Sequence, residues 1–185
     1  MADYKTRSSG SGTKLPDNMD YLWTPWRYRY ITEHRTEPGE RTECVFCAAA
    51  ACPNDSDSLV VHRAERSFVI VNRFPYTSGH VMVVPYQHAP SLQDLPGETL
   101  TEMILLARDC EKCIRALYDP DGLNMGVNIG KSAGAGVADH LHLHILPRWT
   151  GDANFMTAVA ETRILPEEVA TTWQRLRGAF QLPTP

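Results

Sequence analysis

The 185-residue sequence has no apolar run approaching the ~20 residues needed to cross a bilayer, which argues against a membrane-spanning protein. Its first residues lack the apolar core of a secretion signal, so a cytoplasmic location is expected. Net positive charge is also missing. Eighteen Lys and Arg against 22 Asp and Glu give −4, leaving no bulk field to hold nucleic acid through its phosphates; only a local patch could do so. Cysteines are few and odd in number: Cys44, Cys47, Cys52, Cys110 and Cys113. A chain of this size in a reducing compartment needs no disulfides, so thiol chemistry is expected to mean metal or nothing. What remains is ordinary globular composition, 43% hydrophobic and 22% charged, enough for one domain.

Residues 1–18 are rich in Ser, Gly and Lys and nearly free of apolar side chains, and read as a mobile tail before a single domain at 19–185. Residues 21–31 (YLWTPWRYRYI) concentrate aromatics that call for a packing partner, either the domain's own core or a second subunit. Ser58 to Val61, Ser67 to Asn72 and His80 to Pro85 read as strands, the last apolar enough to be covered on both faces. Apolar residues at Leu100, Met103, Ile104, Ala107, Cys110, Ile114 and Leu117 predict one long amphipathic helix from Gly97 to Tyr118, ended by Pro120 to Gly122. A strand at Leu123 to Ile129, a glycine-rich loop at Gly130 to Gly136 and alternating polar and apolar residues from Asp139 follow. Pro166 to Phe180 reads as a C-terminal helix with Pro166 in its first turn. The expected fold is α+β, an antiparallel sheet with one long helix and a C-terminal helix.

Side chains two apart share a strand face, so His140, His142 and His144 are expected on one side and Leu141, Leu143 and Ile145 on the other. Any one of these histidines could be a hydrogen-bonded core residue. Three in strict alternation are poorly explained by packing, because titratable rings buried together are desolvated and repel one another when charged. Such a row suits metal binding, proton transfer or nucleophilic attack. The glycine loop just upstream lets backbone amides approach an anion, which fits a phosphate-containing substrate.

The stretch His140-Leu141-His142-Leu143-His144-Ile145-Leu146-Pro147-Arg148 resembles the signature of the histidine triad (HIT) family of nucleotide hydrolases and transferases. Val71 to Pro75 and Gly79 to Pro85 resemble that family's nucleotide-binding segment, and Asn128-x-Gly130 with Ala133-Gly134 its phosphate loop. The resemblance implies that His142 attacks the α-phosphorus to form a nucleotidyl-histidine. His144 would hydrogen-bond the phosphate and help protonate the leaving oxygen, and His80 would help hold the phosphate. Asn128 and the backbone of Gly134, Ala135, Gly136 and Val137 would contact phosphate oxygens, Asn72 the ribose, and Ile70 and Met82 the base, though plain core is an equal reading of those two.

Cys44-x-x-Cys47 fits one face of a tetrahedral zinc site, which needs two more ligands. In some family members a histidine after the Gly-His strand and the first triad histidine complete it; here these are His88 and His140, implying structural zinc. Cys110 and Cys113 repeat the spacing inside the long helix and read as core, and Cys52 as a lone thiol. Leu22 to Arg27, Trp149 and the residues to Phe155 resemble a bacterial branch acting on diadenosine polyphosphates, some of whose members use inorganic phosphate in place of water. Those phosphorylases place a serine two residues beyond the Ala-Gly step, where this chain has Gly136, so the acceptor stays open. The resemblance also implies a homodimer. Hydrolysis of nucleoside phosphoramidates, a zinc-stabilised nucleotide-binding module without turnover, and a catalytic metal held by all three triad histidines are the alternatives.

Overall fold

The computed structural model describes residues 43–152 and 167–181. The expected tail at 1–18, the aromatic segment at 21–31, residues 153–155 and Pro166 lie outside them. In chain order come α1 (Val45–Ala51), α2 (Asp55–Ser58), β1 (Val60–Arg63), β2 (Ser67–Val71), β3 (Val81–Pro85) and a 3-10 turn (Leu92–Asp94). They are followed by α3 (Gly97–Tyr118), β4 (Gly122–Val127), a second 3-10 turn (Lys131–Ala133), β5 (Leu143–Arg148) and α4 (Val169–Gln181). The five strands form one antiparallel sheet in the order β1-β2-β3-β5-β4, the α+β fold expected from the sequence.

Strand period divides the core into two layers. Val69, Val71, Val81, Val83, Leu141 and Ile145 pack with Met103, Leu106, Ala107, Cys110 and Ile114 of α3 and Leu176 of α4. Phe68, Ile70, Met82 and Val84 form the second layer, with Phe46 and Ala49 of α1. The inner strands β2 and β3 are therefore buried on both faces.

Several boundaries and orientations differ from the sequence reading; β2 ends at Val71 and β3 opens at Val81, each one residue inside the expected strand. Ser58 ends α2 instead of opening a strand: Asn54 accepts from Ser56 N, Asp55 and Asp57 fill the first turn, and Leu59 turns left-handed at φ 62° before β1 starts. Ile104 is 64% exposed, its expected place in the apolar stripe taken by Leu106. Strand β4 stops at Val127, two residues short of Ile129. Finally, β5 pairs only from Leu143, opposite Val83; ahead of it the Leu141 amide donates instead to Ala89 O at 2.7 Å, in the segment beyond β3.

Candidate active site and metal centre

The start of α1, the segment after β3 and the segment before β5 bring four metal-type ligands together. Cys44 Sγ and Cys47 Sγ lie 3.3 and 3.7 Å from His140 Nδ1, and Cys47 Sγ lies 3.4 Å from His88 Nδ1. All four donor atoms fall within 4.8 Å of one another. Bonds of about 2.0–2.3 Å to zinc would space tetrahedral donors about 3.3–3.8 Å apart, so the spacing fits. The hydrogen bonding fits as well. His140 Nε2–H donates to Pro85 O at 2.9 Å, which leaves the Nδ1 lone pair aimed at the thiols, the outer-shell arrangement of a metal-binding histidine. Burial lowers the His140 pKa and keeps the ring neutral, despite the opposing bond to Pro85. Burial, then the hydrogen bond and charge of Cys44, push the Cys47 thiol up, a crowding that a bound dication relieves.

The other two triad histidines are held in complementary proton states. His142 is 5% exposed, and its Nδ1–H donates to His140 O at 2.8 Å, so Nε2 carries a lone pair. Burial lowers the His142 pKa, outweighing that hydrogen bond, and favours the neutral ring. His144 sits across from Met82 in the sheet. Its Nδ1 is 3.0 Å from His80 Nε2, while His80 Nδ1 accepts from the Tyr76 amide at 3.1 Å. Because a backbone amide can only donate, His80 carries its proton on Nε2 and gives that bond to His144 Nδ1, which leaves His144 with Nε2–H. Burial, then the charge of His142, bring the His144 pKa down to about 4. A lone pair on His142 and an N–H on His144 thus stand on rings whose centroids are 4.8 Å apart.

His80 itself is fully buried, its Nδ1 held by the Tyr76 amide and its Nε2 by His144. Asn72 is drawn into the same cluster: Oδ1 accepts from Phe74 N at 3.0 Å and Nδ2 faces His80 Nδ1 at 3.3 Å. Ile70 and Met82 are both within the second core layer, with Val137 packed against it. Asn128 is half-buried just beyond β4. The loop after it turns at Gly130 and Gly134, both at positive φ, and the Ala133 and Gly134 amides bond back to Gly130 O and Lys131 O. The amides of Ala135, Gly136 and Val137 find no acceptor among the described residues. Trp149 directly follows β5, five residues beyond His144.

Two contributors escaped the sequence reading. Phe46, between the paired cysteines, lies 4.9 Å from His142 and 5.4 Å edge-on from His140, centroid to centroid. Its only sequence signal is an aromatic inside Cys-x-x-Cys. Tyr76 supplies the amide that fixes the His80 tautomer and lays its ring 4.8 Å from His80. A backbone donor carries no residue-type signal.

The HIT domain family model matches residues 54–151. The AP-4-A phosphorylase of Mycobacterium tuberculosis is 34% identical over 178 residues, covering 89% of each chain. An asymmetrical bis(5'-nucleosyl)-tetraphosphatase of Schizosaccharomyces pombe is 35% identical over 95 residues, 51% of this chain and 52% of that protein. A Zn-bound histidine triad family protein from Mycobacterium smegmatis superposes with a TM-score of 0.59 at 31% identity, over 74% of this chain and 92% of that one. The triad, its supporting carbonyls and the matched family model together make this chain a member of the HIT family.

Proposed function

We propose that this HIT enzyme cleaves diadenosine polyphosphates at the α-phosphate through a nucleotidyl-His142 intermediate. The observation that carries the reading is the pair of complementary proton states on neighbouring rings: the His142 Nε2 lone pair and the His144 Nε2–H. The lone pair forms the N–P bond while the P–O bond breaks with its electrons on the leaving oxygen. His144 Nε2–H stabilises that oxygen, and the Ala135, Gly136 and Val137 amides, with Asn128, stabilise the phosphoryl oxygens. Asn72 Oδ1 keeps a lone pair for the ribose, and Ile70, Met82 and Val137 wall the base. Water or inorganic phosphate then forms a P–O bond at the phosphorus while the N–P bond breaks with its electrons returning to His142 Nε2, and the proton of an attacking water is released to solvent.

Support for the substrate comes from the named phosphorylase and tetraphosphatase relatives. Zinc on Cys44, Cys47, His88 and His140 would hold α1 against the segment leading into His142 and supply fold stability. The reading includes a single domain at 19–185, a cytoplasmic location and a homodimer; edge strand β4 exposes Met125 by 44%, an apolar edge that a second copy would cover.

Incubation with diadenosine tetraphosphate, with and without inorganic phosphate, followed by chromatography of the products, tests the reading. ADP and ATP formed only with phosphate identify a phosphorylase. AMP and ATP formed without it identify a hydrolase, and an uncleaved substrate overturns the proposal.

A further inference from the structure

The residues that fix Tyr118 have no part in the chemistry described so far. Tyr118 closes α3, and its hydroxyl donates to Glu167 Oε2 at 2.7 Å. Thr172 Oγ1 donates to the same oxygen at 2.7 Å, and Arg175 Nη1 to Glu167 Oε1 at 2.6 Å. Arg175 Nη2 donates to Leu117 O at 2.6 Å, and its guanidinium carbon lies 4.4 Å from the Tyr118 ring centroid. Burial alone would raise the Glu167 carboxyl, but the donors from Tyr118, Arg175 and Thr172 outweigh it and hold it below the usual range. Burial, then the bond to Glu167, raise the Tyr118 hydroxyl, which therefore stays a donor. The ring is pinned on its hydroxyl and on one face.

Its edge closes on Gly79. A Cβ at Gly79 would stand 3.1 Å from Tyr118 Cε2 and 3.3 Å from Pro147 Cγ, and Gly79 sits at φ +81°, where side chains are rarely tolerated. Tyr118 and Pro147 thus crowd the face of Gly79 where a side chain would stand, and the next residue is His80. That loop end is also tied by the His80 N bond to Thr77 O at 3.3 Å, the Asn72 N bond to His80 O at 3.0 Å and the Thr77 Oγ1 bond to Pro147 O at 3.2 Å.

We propose that Tyr118, tethered by Glu167, is a positioning residue for the leaving-group step: its ring wedges Gly79 and so aims His80 Nε2–H at His144. The inference rests on the reading of His144 as the donor to the leaving oxygen. It makes α4, far from the triad in sequence, part of the machinery that orients it.

The test is the ratio of kcat/KM for AMP p-nitrophenyl ester over AMP phenyl ester. A donor at the leaving oxygen helps the more basic phenolate more, so a misaimed donor raises the ratio. His144→Gln is expected to raise it about tenfold or more. Tyr118→Leu is expected to raise it about threefold or more, with Tyr118→Phe, which keeps the ring and loses the tether, in between. In a His80→Gln background, Tyr118→Leu should add nothing to the ratio. Gly79→Ala strains the same contact from the opposite side, and should raise the ratio even if Tyr118→Leu does not fold. Equal losses on both esters for Tyr118→Leu or Gly79→Ala, or a full additional effect in the His80→Gln background, overturn the inference while leaving the reading of His144 intact. An unchanged ratio in His144→Gln overturns both.

Discussion

Lowering the pH should weaken the fold through His144, and the size of the loss follows from its environment. Its pKa falls from the ordinary 6.5 to about 4 on folding, burial being the first cause and the His142 charge the second. Because the folded-state value is the lower one, the unfolded chain takes up a proton between about pH 6.5 and 4 that the folded protein refuses. Stability therefore rises with pH across that window and is lost as pH falls through it. At about 1.4 kcal/mol per pKa unit the loss from pH 7.5 to 4.5 is at most about 2.5 kcal/mol. His144 is only partly buried, and screening by water reduces this to roughly half. Urea unfolding of the wild type and of His144→Gln, at about pH 7.5 and 4.5 in one buffer system, isolates the contribution as a difference of differences. The wild type should lose about 1–2.5 kcal/mol more than the variant. Equal losses in the two proteins would refute the burial of a neutral His144 and the tautomer chain from Tyr76 through His80 that depends on it.

Three further outcomes follow from the same geometry. His142→Asn removes the Nε2 lone pair while keeping a hydrogen-bonding side chain; turnover should fall on the order of a thousandfold or more with nucleotide binding retained, measured by acid-quench trapping of the phosphohistidine and by calorimetry with AMP. Treatment with a chelator should lower the melting temperature by more than about 5 °C, restored by added zinc, if Cys44, Cys47, His88 and His140 hold a structural ion, and scanning calorimetry that shows no change would exclude one there. Arg63 donates to Ala49 O, Ala50 O and Cys52 O at the end of α1 and pairs with Asp55 at 2.9 Å. Arg63→Ala should cost about 2 kcal/mol in urea unfolding, a loss below about 0.5 kcal/mol showing that the helix bearing the cysteines is held without it.

What the sequence determined by itself was everything carried by local pattern. The three- and four-residue steps between Leu100 and Leu117, closed by Pro120 to Gly122, set α3 from Gly97 to Tyr118, because burial of one helical face leaves that periodicity in the chain. Alternation around the triad put Leu141 and Ile145 into the first core layer and the histidines outside it for the same reason. The boundary at Ser58 was legible in Asn54-Asp55-Ser56-Asp57, a helix start weaker in appearance than the β-branched run behind it. Ile104 was not legible, since the helical stripe is wider than the surface α3 buries, and only the placement of α4 and the sheet settles which edge of it meets solvent.

Tertiary structure alone decided where each histidine holds its proton. The rings share one residue type, and their differences come from partners distant in the chain or from the backbone: Pro85 O and the thiols for His140, His140 O for His142, and the Tyr76 amide through His80 for His144. A carbonyl or an amide is present at every residue, so sequence cannot say which will face a ring; only the packed fold, by fixing the partner, fixes the proton.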